Sequence, residues 1–462
     1  MDQAKSKDQD VHGHKQERSV NAYLDCNVCL PGSHIPEIQV QNSEVNATDT
    51  SIVANEFVRK MVADRSDYRA ISENRARSKQ SDGDVLKVNG TIVMYTKVLY
   101  VVTRADTIAG AQNHVMELAE EFSNLNIQTS VICGDGLALP RALDLRSIPF
   151  TQVEGFSNEF NLPAAVRFCR LIRAYVRTNK VDLVSLHSTK AGFLGRLACI
   201  GLPTKVVYTA HGWGFTTGVP HKRARIIKLL ELFASYLTNK IICVSFFDKS
   251  IAVEAGISEK RLVVVHNGRS EVPPGSNSLV VPKINPESSC KKLVMVGRLD
   301  DQKDHLTLFK ALSSSSHDWE VTLVGDGPNL DSLKNESKKL GISDRVNFVG
   351  LVDNVQDYLA KADLFCLISN WEGFPRSTLE AMRAGLPVIV SDVGGSKEAV
   401  LEGKSGFVIP RGDDRLLAEK LGILIDNPTL AISMGLCGQE LFKEKFTLKH
   451  MVSQTLTVYD NL

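Results

Sequence analysis

Glu372 and Glu380 lie eight positions apart in the stretch NWEGFPRSTLEAMRAG, with a Gly-Phe-Pro turn after the first of them. A second charged group, Arg298 and Lys303, occupies GRLDDQKDH. DLFCLIS reads as a strand, NWEGFPR as a loop, and from about Ser377 the stretch STLEAMRA as a helix, with Ser377 or its neighbour suited to cap the first turn. Glu372 then sits in the loop and Glu380 one turn into the helix. With rises of about 3.3 Å per extended residue and about 1.5 Å per helical residue, the two carboxylates can stand up to roughly 19 Å apart, a span that fits a nucleoside diphosphate sugar. The helix N-terminus between them has unpaired N–H groups and partial positive charge that favour phosphate. In this arrangement Glu380 accepts hydrogen bonds from ribose hydroxyls, the amides of Arg376, Ser377 and Thr378 hold phosphate, and Glu372 holds a sugar hydroxyl. Arg298 and Lys303 would clamp the diphosphate; at about 4 Å and an effective dielectric near 20, each favourable pair gains on the order of 4 kcal/mol before desolvation. Each feature taken alone also fits a plainer reading, as a helix cap, a loop charge or a solvated turn.

The elements that must position these groups are visible as apolar runs. From Lys97 onward, KVLYVVTRA, IQTSVICG, VDLVSLHS, KVVYTAHG, KIICVS and RLVVVHNG alternate with helical stretches. Near-continuous Val, Ile and Leu runs of this kind indicate a parallel sheet covered on both faces. The Pro- and Ser-rich SEVPPGSNSLVVPKINPESS suits a linker, after which KKLVMVGR, WEVTLVGDG, RVNFVG, DLFCLIS, PVIVSD and GFVIP repeat the pattern. The expected fold is α/β, with two Rossmann-like, doubly wound domains facing a cleft. In such sheets ligands bind beyond the carboxyl ends of the strands. The expected boundaries are a polar, mostly disordered extension over 1–93, an N-terminal acceptor domain over 94–270, a linker over 271–290, a nucleotide-sugar-binding domain over 291–445, and a C-terminal helix over 446–462 returning to the first domain.

At 462 residues the chain exceeds what one hydrophobic core usually organises. Its 54 basic and 53 acidic residues leave a formal charge of +1, which excludes a globally electrostatic nucleic-acid binder. The nine cysteines are scattered singly, mostly in apolar runs, a pattern of reduced thiols without structural disulfides. With no stretch of about 18 uncharged apolar residues and no apolar signal core in MDQAKSKDQD, the expected location is cytoplasmic, with any membrane contact peripheral. The first 90 or so residues are too polar to bury much surface, apart from a helical spacing of Val53, Phe57, Val58, Met61 and Val62. Cys26 and Cys29, near His12, His14 and His34, superficially resemble a zinc site but lack a second Cys pair. Met94, directly before the first convincing strand, could be the translation start.

EGFPRSTLEAM, VGRLDDQKD, VTLVGDGP and PVIVSDVGGSKEAV resemble the motifs of family 4 retaining glycosyltransferases of GT-B fold, the last two falling in the expected order. The resemblance covers Lys97 to the C-terminus. It implies that Arg298 and Lys303 hold the donor diphosphate, that Glu372 touches the sugar and Glu380 the ribose, and that Phe374, Arg376, Ser377 and Thr378 belong to the donor-binding motif. It further implies that Gly110, in TRADTIAGAQNHV, lies near donor phosphate and that His211, in YTAHGWGF, lines the sugar site; His187, in LHSTKAG, has weaker support. One departure is Pro375, where many members have glycine, so an amide contact from that position is lost.

What the resemblance implies is transfer of a hexosyl unit from a nucleotide diphosphate sugar, UDP favoured and N-acetylhexosamine one candidate, with no cofactor. No nucleophile stands out, so positioning and electrostatics should carry catalysis. No divalent ion is expected, since the candidate DxD pair Asp82 and Asp84 lies in the polar leader. LHSTKAGFLGRLA and TAHGWGF are similar to bacterial capsule and O-antigen transferases, which implies a polyprenyl-diphosphate-linked or other glycan acceptor. The basic, apolar stretch PHKRARIIKLLELFASYLTNK, read as a helix from Pro220 to Lys240, could rest on an anionic bilayer at the inner face of the cytoplasmic membrane, or pack on the sheet. The rival readings are a UDP-N-acetylhexosamine 2-epimerase, which shares the two-lobed fold, and a non-catalytic nucleotide-sugar sensor.

Overall fold

The computed structural model describes residues 87–88, 91–92, 95–157, 161–216, 218–272, 288 and 290–462. The expectations for 1–86, including the helical spacing after Ser51, the Cys26–Cys29 pair and Asp82 with Asp84, fall outside them, as does most of 271–290. Two short strands, β1 (Lys87–Val88) and β2 (Thr91–Ile92), pair antiparallel before the main body.

The first sheet contains β3 (Lys97–Val102), β4 (Gln128–Cys133), β5 (Phe150–Gln152), β6 (Leu183–His187), β7 (Lys205–Ala210), β8 (Lys240–Cys243) and β9 (Leu262–Val264). All pair in parallel, in the order β5-β4-β3-β6-β7-β8-β9. The second sheet contains β10 (Lys291–Val296), β11 (Trp319–Val324), β12 (Val346–Gly350), β13 (Leu364–Leu367), β14 (Val388–Ser391) and β15 (Gly406–Ile409). It is also parallel, in the order β12-β11-β10-β13-β14-β15. Every residue of β6, β13 and β14 is buried, which is why these strands read as unbroken apolar runs rather than alternations. The three-residue, half-buried β5 carries too little apolar signal to be legible in the sequence.

Both sheets reverse winding direction once, between β3 and β6 in the first and between β10 and β13 in the second. The loops leaving strands on either side of a switch point diverge to opposite faces and open a crevice. In the second sheet they are stitched together: the Asp304 amide donates to the Ile368 carbonyl at 2.9 Å, and the Asn370 amide to the Gln302 carbonyl at 2.7 Å.

Six helices bear on function: α1 (Gly110–Asn124), α2 (Thr189–Ala198), α3 (His221–Ser235), α4 (Phe246–Glu254), α5 (Arg376–Arg383) and α6 (Leu448–Asp460). The last of these buries Met451, Val452, Leu456 and Tyr459 in the core beneath the first sheet, with Phe122 of α1 and Tyr100 of β3. Arg269, just beyond β9, exchanges backbone hydrogen bonds with Phe446 and Leu448 at 3.0 and 2.7 Å. The Glu398 carboxylate reaches the opposite way, accepting the Phe246 and Phe247 amides of the α4 N-terminus at 2.8 and 2.9 Å and the His266 ring at 2.8 Å.

Two local expectations are corrected. Helix α5 starts at Arg376 with Pro375 as its N-cap, so Ser377 lies inside the first turn and no side chain caps the helix. Proline sets a φ of −72° there and offers no side-chain acceptor, which leaves the first-turn amides uncapped. Helix α3 ends at Ser235, short of Lys240, because the chain must extend again to form β8. No disulfide joins the seven described cysteines; burial pushes the Cys133, Cys199 and Cys366 thiols up to about 12. Among the described residues, no single helix is long and apolar enough to cross a membrane.

Candidate functional site

The crevice at the second switch point gathers most of the charged residues picked out in the sequence. The Lys303 ammonium pairs with the Glu372 carboxylate. Glu372 also accepts hydrogen bonds from Ser369 Oγ at 2.8 Å and Gln302 Nε2 at 3.2 Å, so the loop acid is held from three sides. Its side chain is only 6% exposed. By contrast the Arg298 side chain is 58% exposed and lies 3.4 Å from Asp300, free to swing toward a ligand. The loop keeps its shape because Gly394 packs on it: with φ at +56°, an added Cβ would stand 1.9 Å from the Glu372 carbonyl oxygen.

Helix α5 supplies the rest. Glu380 pairs with Arg269, whose guanidinium also reaches Glu117 of α1 at 2.6 Å, and Glu117 in turn pairs with Arg376. Arg383 joins from the end of α5, donating to the Ser270 carbonyl at 2.8 Å. Three guanidinium groups thus share two carboxylates. Arg269 Nε, Arg376 Nη1, Arg383 Nε and Nη2, and Thr378 Oγ1 are buried without a partner. Burial lowers Arg376 below the ordinary arginine range and pushes Arg383 down to about 10. The unpartnered donors of Arg376 and Thr378, with excess positive charge beside an uncapped helix N-terminus, make a site that an anion would complete.

Other residues marked in the sequence stand differently. Gly110 opens α1 opposite Arg376; an added Cβ would meet the arginine Cδ at 3.9 Å, an ordinary contact, so nothing in the protein itself demands glycine there. The Phe374 ring packs on His266 at 4.5 Å and Phe446 at 5.4 Å between ring centres, and its carbonyl accepts from Asn267 Nδ2 at 2.8 Å. That ring is core, and the Phe374 carbonyl is already engaged by Asn267.

His211 follows β7, and its carbonyl would lie 3.2 Å from a Cβ placed on Gly373, so the two halves meet at this point. It is not alone. His187 Nδ1 lies 3.0 Å from His211 Nε2, and the His114 ring meets His211 edge-on at 4.7 Å. Burial, and secondarily the Arg376 charge, pushes His211 down to about 3; burial likewise holds His114 and His187 well below the usual histidine range. All three imidazoles are therefore neutral at physiological pH. Their ligand nitrogens lie within 4.8 Å of one another, and among the described residues this is the group that could hold a metal ion. Imidazoles suit zinc, copper or nickel, but the Arg376 charge that bears on His114 and His211 opposes a dication.

Residues 108–270 match Glycosyltransferase Family 4, and residues 281–439 match Glycosyl transferases group 1. The O-antigen biosynthesis glycosyltransferase WbnH of Escherichia coli is 30% identical over 337 residues, 71% of this chain and 90% of that protein. The chain belongs to the family 4 glycosyltransferases of GT-B fold. A second E. coli protein, UDP-Gal:alpha-D-GlcNAc-diphosphoundecaprenol alpha-1,3-galactosyltransferase, is 28% identical over 353 residues, 72% of this glycosyltransferase and 89% of the relative. Among solved structures, Anabaena HepE in complex with UDP-glucose superposes with a TM-score of 0.68 at 20% identity, covering 79% of this glycosyltransferase and all of HepE (100%).

Several site residues escaped the sequence reading. Arg269 and Asn267 follow β9 in HNGRS, and the rule that ligand groups follow strands could have found them. Glu117 and His114 sit one turn apart on α1, and nothing in one sequence says that this face of the helix meets Arg376 and His211.

Proposed function

We propose that this glycosyltransferase moves a hexosyl unit, with retention of anomeric configuration, from a UDP-linked sugar to a polyprenyl-diphosphate-linked or other glycan acceptor in surface polysaccharide synthesis. The observation that carries this reading is the convergence, at one switch point, of Lys303 and Glu372, the uncapped α5 N-terminus, and the buried, under-satisfied guanidinium groups of Arg269, Arg376 and Arg383. The relatives support it: one acts, by its name, on a diphosphoundecaprenol-linked sugar with UDP-Gal, and HepE binds UDP-glucose.

In the proposed mechanism Lys303, Arg298 and the α5 amides near Arg376, Ser377 and Thr378 neutralise the departing diphosphate. Glu380 accepts from the ribose and Glu372 from a sugar hydroxyl. Gly110 admits phosphate to the α1 terminus, and His211 lines the sugar. The leaving phosphate takes the acceptor's proton on the same face, so catalysis rests on position and charge. Because side-chain cations meet the phosphate, turnover should survive a chelator; loss with a chelator and recovery with manganese would reject that part.

The lipid-linked acceptor gains support from α3. Ile226, Leu229, Leu230 and Phe233 are exposed, between 41% and 67%, among Lys222, Arg223, Arg225 and Lys228. A basic helix with an apolar outer face suits the anionic inner leaflet of the cytoplasmic membrane.

The deciding experiment is a thermal-shift screen of nucleotide sugars, followed by NMR of the product with a lipid-diphosphate acceptor. A UDP-sugar that stabilises the protein and yields a product of unchanged anomeric configuration is expected. Inversion would reject retention; a sugar isomer formed from donor alone would favour the epimerase, and binding with no turnover a sensor.

A further inference from the structure

A buried chain of hydrogen bonds runs from the C-terminal helix to the sugar-facing end of the first sheet. The Tyr459 hydroxyl of α6 donates to Ser185 Oγ at 2.9 Å. Ser185 Oγ lies 3.1 Å from His187 Nε2, and His187 Nδ1 lies 3.0 Å from His211 Nε2. Ser185 and His187 are both 0% exposed and Tyr459 1% exposed, so water does not compete for the Tyr459–Ser185 and Ser185–His187 bonds, while the His187–His211 bond is part-buried. Ser185 and His187 stand two apart on β6, so their side chains share one face of the strand.

The polarity of the chain follows from counting protons. Tyr459 has one and gives it to Ser185. The serine proton then goes to His187 Nε2. A neutral imidazole has a single N–H, so with Nε2 accepting, the His187 proton sits on Nδ1 and points to His211 Nε2. His211, accepting at Nε2, must carry its own proton on Nδ1. The opposite polarity would make Ser185 accept from both sides and leave its proton unused, since among the described residues it has no further hydrogen-bond partner. His114 braces the assembly: its Nδ1 meets Asn267 Oδ1 at 3.2 Å, and its ring abuts His211 edge-on.

We propose that the Tyr459–Ser185–His187 chain locks His211 as the Nδ1–H tautomer in a fixed ring orientation, making His187 and Tyr459 positioning residues for sugar transfer. The inference rests on the proposed role of His211 at the sugar. It gives the C-terminal helix a task beyond packing: α6 returns to the first sheet and delivers the first donor of the chain. A ring that presents a fixed N–H to a sugar oxygen costs nothing to reorganise at the moment of transfer. A ring free to exchange tautomers is in the wrong form for part of the time.

The test uses the full chain with 15N-labelled histidine. Long-range 1H–15N correlations separate protonated from bare ring nitrogens, and His211→Asn and His187→Gln assign the signals. Wild type should show His211 bare at Nε2 and protonated at Nδ1. His187→Leu should give mixed His211 tautomers and lower kcat by roughly 10- to 100-fold at little-changed donor KM. His187→Gln should restore the tautomer and most of kcat, because the glutamine amide can accept from Ser185 and donate to His211. Tyr459→Phe should show a smaller loss, about threefold, in line with one neutral hydrogen bond. A protonated His211 Nε2 in wild type, or an unmoved tautomer in His187→Leu, overturns the proposal. So does a visible Co(II) absorption band that requires His187, since a bound metal needs His187 Nδ1 bare. If the tautomer moves in His187→Leu while turnover stays, the chain stands and the sugar-facing role of His211 fails.

Discussion

At the scale of single residues, the pairing of Lys303 with Glu372 sets an asymmetry between their variants. In the proposed mechanism Lys303→Ala removes a cation that meets the diphosphate before and during departure, and it also strands Glu372, so kcat/KM should fall roughly 10²- to 10³-fold with weaker donor binding. Glu372→Ala frees Lys303 for phosphate, so kcat should fall while donor KM holds or drops; steady-state kinetics with varied donor separate the two outcomes. His114 offers a pH test. Its folded-state pKa is depressed by burial, so the unfolded chain binds a proton first, and stability that is full above about pH 6.5 drains as pH falls below it, at about 1.4 kcal/mol per unit. His114→Gln lacks this titration. In urea melts the advantage of wild type over that variant should shrink as pH falls from about 6.5 to about 5, and a constant difference would show that His114 takes up a proton equally in the folded and unfolded states.

At the scale of elements, α3 shows how a helix can face its apolar side outward and still be anchored. Arg196 of α2 and Glu231 of α3 form an ion pair at 2.6 Å with side chains 0% and 1% exposed, and the guanidinium lies 4.3 Å from the Tyr208 ring centre. Burial raises the Glu231 carboxyl, and Arg196 opposes that shift. Glu231→Ala leaves a buried guanidinium without its partner and should cost about 3–5 kcal/mol in chemical denaturation, where a surface pair would cost under about 1. The outward face makes a separate prediction. Replacing Arg223 and Arg225 with Gln, and Leu229 and Phe233 with Ser, should abolish co-flotation with vesicles rich in anionic lipid while leaving donor binding intact. Unchanged flotation would place lipid contact elsewhere. For α5, the proline that offers no amide also leaves the helix uncapped, so the same choice of residue opens the end where the proposed mechanism seats phosphate.

At the scale of the whole molecule, two parallel sheets meet through single side chains: Asn267 to the Phe374 carbonyl, Arg269 to Glu380, and Glu398 to the α4 amides. Glu398→Ala would strip two helix-end amides and His266 of their shared acceptor and should destabilise by about 1–3 kcal/mol in calorimetry. The twelve apolar runs read in the sequence all form strands, because a strand buried on both faces needs no partner to declare itself in composition. The strand-end position of Lys303, Glu372 and His211 was equally legible, since parallel sheets put ligand groups there. What the chain alone determined was therefore which segments are strands, where loops follow them, and which charges those loops carry. Tertiary structure decided the partners: Glu117 bridging Arg269 and Arg376, the three imidazoles in one cluster, Tyr459 reaching Ser185 across the sheet, and α3 turning its leucines outward. Local pattern records only whether a residue prefers burial and at what period, whereas these contacts join residues up to hundreds of positions apart, and their geometry exists only once both sheets and the returning helix are packed.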